Sequence, residues 1–451
     1  MNIEQAGAAL RSRKISCAEL TAESLAKVRE LNPTLNAFIT ITADLAMSRA
    51  RALDTELAQG LDRGPLHGIP VAHKDLICTK GIRTTSGSRL FENDVPAYDA
   101  TVVERLDAAG AVMIGKLGLH ELAYGVTSTN PHFGAVRNPR HPDHIPGGSS
   151  GGSGAAVASG MVFMATGTDT GGSIRIPASY CGAVGLKPTY GLVSRHGVRP
   201  LGLSLDHVGP LTRTVRDTQL VMDVIAGHDE RDSSSSGRQD WSFERPLAGL
   251  TVGVPENFYF DRIDPEVEAA VRRAAAACGD IGANVTPVRV PDIQALNMVA
   301  RLILLVEASA LFENRLEERE RFGEDVLALL DQGRLVPGTA YVNAQRLRQG
   351  FIGEFHKLFQ RIDVLLTPAT PIVAPRIGQK TVELGGQPMD TRLATTLLVR
   401  GVNALGWPAL SLPCGIAKSG LPIGAQLIGR PFDDGVLLGL GAALESALTT
   451  G

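Results

Sequence analysis

The sequence is poor in cysteine and aromatic residues, and both shortages exclude classes of protein. The cysteines are odd in number and scattered, with no CxxC pair: Cys17, Cys78, Cys181, Cys278 and Cys414. Neither a disulfide framework nor a cysteine zinc site is therefore expected. Aromatic residues make up 5% of the chain and the formal net charge is -3. Without a basic field or stacking platforms, nucleic acid is not an expected partner.

Long hydrophobic runs are also missing. The longest apolar stretch, from Val299 to Phe312, contains Arg301 and Glu307. We expect it to be too short and too charged to span a membrane. The first residues, MNIEQ, carry neither the basic segment nor the apolar core of a secretion signal. The expected location is therefore the cytoplasm.

Helical and strand-like segments alternate along the chain. Ser16 and Glu19 form a capping box that begins a helix, which Asn32 and Pro33 are expected to end. Short apolar segments at residues 69–74, 111–114, 250–254, 363–368 and 409–413 are typical of buried strands. The pattern predicts the α/β class: a single compact α/β/α domain with a large twisted mixed β-sheet covered by helices.

We expect residues 1–451 to form this one domain. Its core with the functional motifs spans residues 60–215, and residues 359–451 return to the sheet. Residues 235–358 are expected to be a variable, largely helical segment that covers a cleft and supplies part of a substrate pocket.

Two short patterns match familiar motifs but lack their chemistry. Residues 110–116 fit the start of a phosphate-binding loop, but the next residue is a leucine where that loop needs a hydroxyl. Residues 147–151 fit a nucleophile elbow, but residues 138–146 before them form a loop instead of a buried strand. His141 and His144 in this loop are more typical of a solvated surface than of a metal site. We expect no metal.

Two loops rich in glycine and serine carry the strongest chemical signal. They occupy residues 146–154 and 166–177. In the second loop Gly171 and Gly172 precede Ser173 at a predicted helix start, where backbone N–H groups lack intrahelical partners. Convergent N–H groups of this kind are what an oxyanion hole requires. Lys74 lies at the end of the predicted strand 69–74.

Three long motifs in register resemble the amidase signature family. They are GIPVAHKD at 68–75, PGGSSGGS at 146–153 and GTDTGGSIR at 167–175. Ser149 lies 75 positions after Lys74, and Ser173 lies 24 positions after Ser149, which matches the spacing of the family. The resemblance covers about residues 5–445 and is weakest between about 235 and 350.

This resemblance implies that Ser173 is the nucleophile, that Ser149 follows a cis peptide bond and relays the proton, and that Lys74 is the base. A serine hydroxyl is a weak nucleophile until a base removes its proton. Lysine is a base only when neutral, so burial must lower its pKa by about 3 from roughly 10.4. Asp75 and Arg175 are expected either to be structural or to support the reacting residues without touching the substrate.

The implied activity is hydrolysis of the C–N bond of small amides through an acyl-enzyme, with aryl amides and carbamates (urethanes) as candidate substrates. The expected oxyanion donors are the backbone N–H groups from Thr170 through Gly171 and Gly172 to Ser173. Residues expected to line the cleft are Tyr124, Gly125 and Thr127. No cofactor is expected, and the chain is expected to be a monomer or homodimer.

An alternative is the glutamine-hydrolysing subunit of an amidotransferase complex. Such family members hold the amino acid with a basic and an acidic residue. Arg348 is the candidate for the first, but Thr396 stands where the aspartate is expected, with Arg400 and Trp407 nearby. This departure favours the stand-alone amidase. Whether Thr396 and Arg400 contact substrate is left open by the sequence.

Overall fold

A computed structural model describes residues 1–237 and 247–450. The strands are β1 (Phe38–Ile41), β2 (Pro70–Lys74), β3 (Val112–Leu117), β4 (Thr129–Asn130), β5 (Gly134–Ala135), β6 (Met164–Asp169), β7 (Val184–Lys187), β8 (His207–Thr212), β9 (Thr251–Pro255), β10 (Asn284–Val288), β11 (Val364–Pro368), β12 (Thr381–Leu384), β13 (Gln387–Asp390), β14 (Ala409–Ile416) and β15 (Pro422–Gly429). The α-helices are α1 (Ile3–Arg11), α2 (Cys17–Leu35), α3 (Ala43–Ala58), α4 (Thr101–Ala108), α5 (Gly151–Ala158), α6 (Arg175–Cys181), α7 (Val215–Ile225), α8 (Pro265–Asp280), α9 (Ile293–Phe312), α10 (Glu324–Arg334), α11 (Gly338–Leu358), α12 (Thr391–Thr396), α13 (Arg400–Leu405) and α14 (Asp434–Thr450). Short 3-10 helices span Arg89–Phe91, Glu121–Ala123 and Glu313–Arg321.

Eleven of these strands form one mixed sheet, which confirms the predicted class. Their order is β1-β3-β2-β6-β8-β7-β14-β15-β11-β9-β10. Strands β3, β2 and β6 run parallel to one another, as do β11, β9 and β10. The strands between these two groups pair in antiparallel fashion. The carboxyl ends of β2 and β6 therefore lie at the same edge, which brings Lys74 close to the turn after Asp169.

Helices cover both faces of the sheet. Along β15, Gly424 packs against Ser179 of α6, whereas Gly429 packs against Leu437 of α14. Because successive residues of a strand face opposite sides, these two helices lie on opposite faces. Helices α7 and α8 pack on α14, and α5 packs on α6, so each face carries a helical layer.

The first long helix differs from its predicted end. The capping box of Ser16 and Glu19 is present, but α2 continues through Pro33 to Leu35. A proline removes a single intrahelical hydrogen bond, and this loss is tolerated in the last turn because Leu35 is buried in the core. The helix ends at Asn36, whose φ of 49° is left-handed.

The helical cover begins later than residue 235. Strands β9 and β10 and helix α8 belong to the edge of the main sheet. From Ile293 onward the segment is helical, and α9 packs against α10, α11 and α13. Since α13 adjoins the glycine- and serine-rich loops, this cover contributes one wall of the region around them.

The apolar helix in this cover is longer than expected from the sequence. The helical stretch Ile293–Arg321 contains an 18-residue window with a mean hydropathy of 1.8, and by length and composition alone it could cross a membrane. The expectation that it is too short is therefore wrong. Its Glu307, however, accepts hydrogen bonds from Ser204 Oγ at 2.6 Å and from Tyr341 at 2.9 Å. These contacts are those of a helix packed within the protein.

Replacing Gly152 of α5 with alanine is expected to destabilise the fold. A Cβ at this position would lie 2.6 Å from the carbonyl oxygen of Ala37 and would also meet the backbone of Gly118. Overpacking against backbone costs about 1–3 kcal/mol or more. Gly350 of α11 is the matched control, because a Cβ there meets nothing within 4 Å. Its replacement by alanine should stabilise the protein by up to about 1 kcal/mol.

Urea unfolding of the two variants checks this expectation. The structure requires the midpoint to fall for Gly152→Ala and to stay level or rise for Gly350→Ala. Equal midpoints would mean that α5 is not seated against the Gly118 backbone.

Candidate active site

Lys74 is the last residue of β2 and is fully buried. Its Nζ lies 2.7 Å from Ser149 Oγ, 2.9 Å from Ser150 Oγ and 2.8 Å from Thr168 Oγ1. Burial lowers the pKa of Lys74 to about 7, while the charges of Asp169 and Asp206 act in the opposite direction. A substantial fraction of the Lys74 side chain is therefore neutral near neutral pH, and only a neutral lysine can act as the base.

Ser149 lies in a loop whose path is set by close backbone contacts. The Gly148–Ser149 peptide bond is cis, as the family resemblance implies. A Cβ on Gly148 would lie 2.7 Å from the carbonyl carbon of Val126, so a side chain does not fit. The carbonyl of Ser149 accepts a hydrogen bond from the backbone N–H of His120 at 3.1 Å. These contacts orient the Ser149 hydroxyl toward Lys74.

Ser173 lies in the turn between β6 and α6, next to the Ser149 loop. Its carbonyl accepts a hydrogen bond from the backbone N–H of Ser150 at 3.2 Å, which joins the two loops. Gly172 has a φ of 119°, and a Cβ there would strike Val399, so the turn requires glycine. The predicted nucleophile and relay therefore come from adjacent loops.

The turn provides fewer free N–H groups than the sequence predicted. The N–H of Gly172 donates to Asp169 Oδ1 at 2.7 Å, so Gly172 is not a free oxyanion donor here. In residues 1–237 and 247–450, the N–H groups of Gly171 and Ser173 have no hydrogen-bond partner. The hydroxyl of Thr170 donates to Asp206 at 2.6 Å and fixes the start of the turn.

A buried ion pair between Arg175 and Asp169 stabilises the turn that carries Ser173. Arg175 is fully buried and donates to both carboxylate oxygens of Asp169 at 3.0 Å. It also donates to Asn403 at 2.6 Å and to Gln426 at 2.7 Å. Burial alone raises the pKa of Asp169, but the charge and hydrogen bonds of Arg175 lower it below the ordinary value. The geometry agrees with the structural role expected for Arg175.

Asp75, like Asp169, is a buried carboxylate paired with a buried cation. It is buried beside Lys116, whose Nζ is 3.6 Å away, and it accepts a hydrogen bond from the backbone N–H of Thr85 at 2.9 Å. Lys116 itself lies within strand β3 and donates to the carbonyl of Ile77. The residues that matched a phosphate-binding loop therefore form a strand.

Sequence reasoning missed Ser150, Thr168 and Asp169 as members of the site. Each lies within one of the three family-like motifs, so their positions were visible, but their contacts were not. Ser150 and Thr168 place two further hydroxyls around Lys74, and Asp169 holds the turn that carries Ser173. Only the packing of β2, β6 and α5 brings these side chains together.

The three residues predicted to line the cleft divide into two groups. Tyr124 lines a cavity of about 230 Å³ together with Arg400. Gly125 packs against the ring of His120, and Thr127 Oγ1 lies 3.3 Å from His120 Nδ1. Gly125 and Thr127 therefore position His120, which in turn holds the backbone of Ser149.

Four residues considered for substrate recognition also differ in their surroundings. Arg348 donates to the carbonyls of Ala404 and Ser204, and Trp407 packs edge-on against aromatic rings of the core. Thr396 lines a cavity shared with Arg400, while its hydroxyl donates to the carbonyl of Arg392 at 3.0 Å. Of these residues, Arg400 stands closest to the Ser173 turn, beside Gly171.

The family model named Amidase matches residues 19–438, and the chain belongs to this family. The protein is therefore an enzyme of amide C–N bond hydrolysis.

Similar proteins differ in what they do. The chain is 42% identical over 482 residues to the glutamyl-tRNA(Gln) amidotransferase A subunit of Anaeromyxobacter sp. (strain K), covering 99% of this chain and 96% of that protein. It is 37% identical, with a TM-score of 0.95, to a solved chain from a vestigial complex that reveals the origins of an s-triazine catabolic enzyme, covering 99% and 98%. A bacterial aryl acylamidase is 28% identical with a TM-score of 0.90, covering 99% and 96%.

Proposed function

We propose that the protein hydrolyses the C–N bond of small amides through an acyl-enzyme on Ser173, with Ser149 relaying protons to Lys74. The observation that carries this proposal is the 2.7 Å contact between Lys74 Nζ and Ser149 Oγ, in a site where the pKa of the lysine is lowered to about 7. Membership in the amidase family supports the bond type.

The first half of the reaction forms the acyl-enzyme. Neutral Lys74 accepts the proton of Ser149, which accepts the proton of Ser173 as its Oγ bonds to the amide carbon. The oxyanion that forms is stabilised by the N–H groups of Gly171 and Ser173. The proton then returns from Lys74 through Ser149 to the amide nitrogen, the C–N bond breaks, and the amine leaves.

The second half releases the acid. Water attacks the ester carbon of Ser173 while Ser149 and Lys74 accept one of its protons. The tetrahedral intermediate collapses, the bond to Ser173 Oγ breaks, and the proton returns to that oxygen. A base with a pKa near the working pH suits both directions of this transfer.

Glutamine hydrolysis within an amidotransferase is the second candidate function. It is favoured by the 42% identity to a protein that is one subunit of glutamyl-tRNA(Gln) amidotransferase. The chemistry of the site favours the first candidate. Glutamine carries an ammonium group that needs an anionic partner, whereas the hydroxyl of Thr396 donates to the carbonyl of Arg392.

Assays of the purified chain separate the two candidates. We expect it alone to hydrolyse an anilide or an aryl carbamate with a kcat/KM at least about 10-fold above that for glutamine, a difference of about 1.4 kcal/mol in transition-state binding. Lys74→Ala serves as the blank for uncatalysed hydrolysis. Glutamine turnover that exceeds that of every other substrate would establish the second candidate instead.

A further inference from the structure

Arg400 lies beside the Ser173 turn and lines one cavity together with Arg301. In the part of the chain that the structure describes, neither Arg301 nor Arg400 forms a hydrogen bond or an ion pair. Arg301 is exposed, whereas the Nε atom of Arg400 is buried. Buried guanidinium groups are usually paired with a carboxylate or with carbonyls, as those of Arg175 and Arg348 are in this chain.

Arg400 lies directly beside the predicted oxyanion donors. A Cβ built on Gly171 would be 3.9 Å from Arg400 Nε and 3.8 Å from its Cγ. A substrate whose carbonyl oxygen is held by the N–H of Gly171 therefore has its neighbouring atoms within reach of the Arg400 guanidinium. One small molecule can therefore reach the N–H of Gly171 and the guanidinium of Arg400 at the same time.

The side chains of Tyr124, Arg301, Arg392 and Arg400 surround one cavity of about 230 Å³, which we term the arginine pocket. An adjoining cavity of similar size shares Arg301 and Arg400 and is otherwise lined mainly by apolar residues and amides. Burial raises the pKa of Tyr124 to about 12, so its hydroxyl stays protonated and is able to donate.

Two acidic residues neutralise the pocket only in part. Asp325 forms an ion pair with Arg392 at 3.8 Å and accepts a hydrogen bond from His120 at 2.9 Å. Asp390 lines the pocket from its exposed side, and it caps α12 by accepting from the N–H of Arg392. Burial, together with the charges of Arg301 and Arg392, lowers the pKa of Arg400 to about 10. Three arginines face these two aspartates, so the pocket keeps a net positive charge.

We propose that the arginine pocket binds a carboxylate of the substrate, so that the preferred substrates are small amides carrying a carboxylate close to the scissile bond. This inference rests on the proposed function for its chemistry. A guanidinium presents paired N–H donors that match the two oxygens of a carboxylate. The small volume of the cavity limits the substrate to a short carbon chain.

The same pocket argues against a zwitterion. A substrate such as glutamine would place an ammonium group beside the guanidinium groups of Arg301 and Arg400, which are unpaired within the described residues. Asp325 is already paired with Arg392. Glutaramate has the same carbon chain and carboxylate as glutamine but lacks the ammonium group. We therefore expect glutaramate to be hydrolysed at least about 30-fold more efficiently than glutamine, which corresponds to repulsion between like charges of about 2 kcal/mol.

Binding of succinate, measured by calorimetry, tests the pocket without turnover. We expect the wild type and Ser173→Ala to bind it, Arg400→Met to bind at least about 30-fold more weakly, and Arg400→Lys to recover part of the loss. Arg272→Met is the control, because Arg272 is exposed on α8 and pairs with Glu268. Equal affinity of the wild type and Arg400→Met would overturn the proposal.

Kinetics with a matched pair of substrates test the consequence for specificity. Succinyl-p-nitroanilide and butyryl-p-nitroanilide share a leaving group and differ by the carboxylate. We expect the wild type to prefer the first by at least about 30-fold in kcat/KM and Arg400→Met to lose most of that preference. Hydrolysis of both with similar kcat/KM by the wild type would refute the carboxylate pocket while leaving the amidase function intact.

Binding and hydrolysis can also separate in the other direction. If neither the anilides nor any other amide or carbamate is hydrolysed, but succinate binding depends on Arg400, the pocket is confirmed and the proposed function fails. The two hypotheses therefore have separate outcomes.

Discussion

Ser173→Ala is expected to lower kcat/KM for every amide substrate by about 10⁴-fold or more, because it removes the atom that forms the acyl-enzyme. The remaining oxyanion donors and substrate contacts do not supply a nucleophile. Steady-state kinetics measure the loss, and a fluorophosphonate probe measures the nucleophile directly. The wild type should be labelled at one serine, and the variant should not be labelled.

Ser159→Ala is the matched control for this experiment. Ser159 ends α5, and its Oγ donates to the carbonyl of Ala155 at 2.7 Å, outside the Lys74 cluster. This variant should keep wild-type turnover and labelling. Labelling of Ser173→Ala at the wild-type rate would show that another residue is the nucleophile, with Ser149 or Ser150 the next to examine.

Lys74→Met is expected to lower kcat/KM by about 10²–10⁴-fold, the usual contribution of a general base. The dependence of wild-type kcat/KM on pH provides a second test. Since Lys74 acts only when neutral and its pKa is lowered to about 7, activity should rise with pH through about 7 and then level off. In Lys74→Met this step should disappear. A wild-type step that persists in the variant would assign the titration to another group.

Stability measurements separate this catalytic loss from unfolding. Between pH 7 and the ordinary lysine pKa of 10.5, the unfolded chain binds a proton that folded Lys74 does not. Buried Lys74 therefore lowers the free energy of unfolding most below pH 7, and this loss disappears as the pH rises toward 10.5. Removing the amine removes this cost but also removes the three hydrogen bonds of its Nζ, and the two effects oppose each other. The Tm of Lys74→Met near pH 7 should therefore lie within a few degrees of the wild type. Lys357→Met, on the surface of α11, is the matched control.

Much of the fold was predictable from local patterns. Short apolar segments such as residues 69–74 and 363–368 became strands β2 and β11, because β-branched and apolar runs bounded by glycine or proline favour buried strands. The end of α2 was mispredicted at Pro33, since burial of Leu35 outweighs the preference of a single residue. Strand order was not predictable, because pairings such as β6 with β8 depend on the whole sheet.

The candidate site was predictable where its residues lie in continuous motifs. Lys74, Ser149 and Ser173 are each embedded in a long segment of family-like sequence, and the structure places Lys74 and Ser149 in contact. The sequence did not predict that the N–H of Gly172 is unavailable to an oxyanion. In the folded turn this N–H donates to the side chain of Asp169.

The sequence by itself determined the bond type and the candidate nucleophile, relay and base, because these depend on short segments whose residue types and spacing have few other uses. The tertiary structure decided the surroundings. Arg348 was the expected basic residue for substrate, yet its guanidinium is held by backbone carbonyls, whereas Arg400 reaches the Ser173 turn. Arg301 and Arg400 lie far apart in the chain, and only the packing of α9 on α13 unites their charges in one pocket.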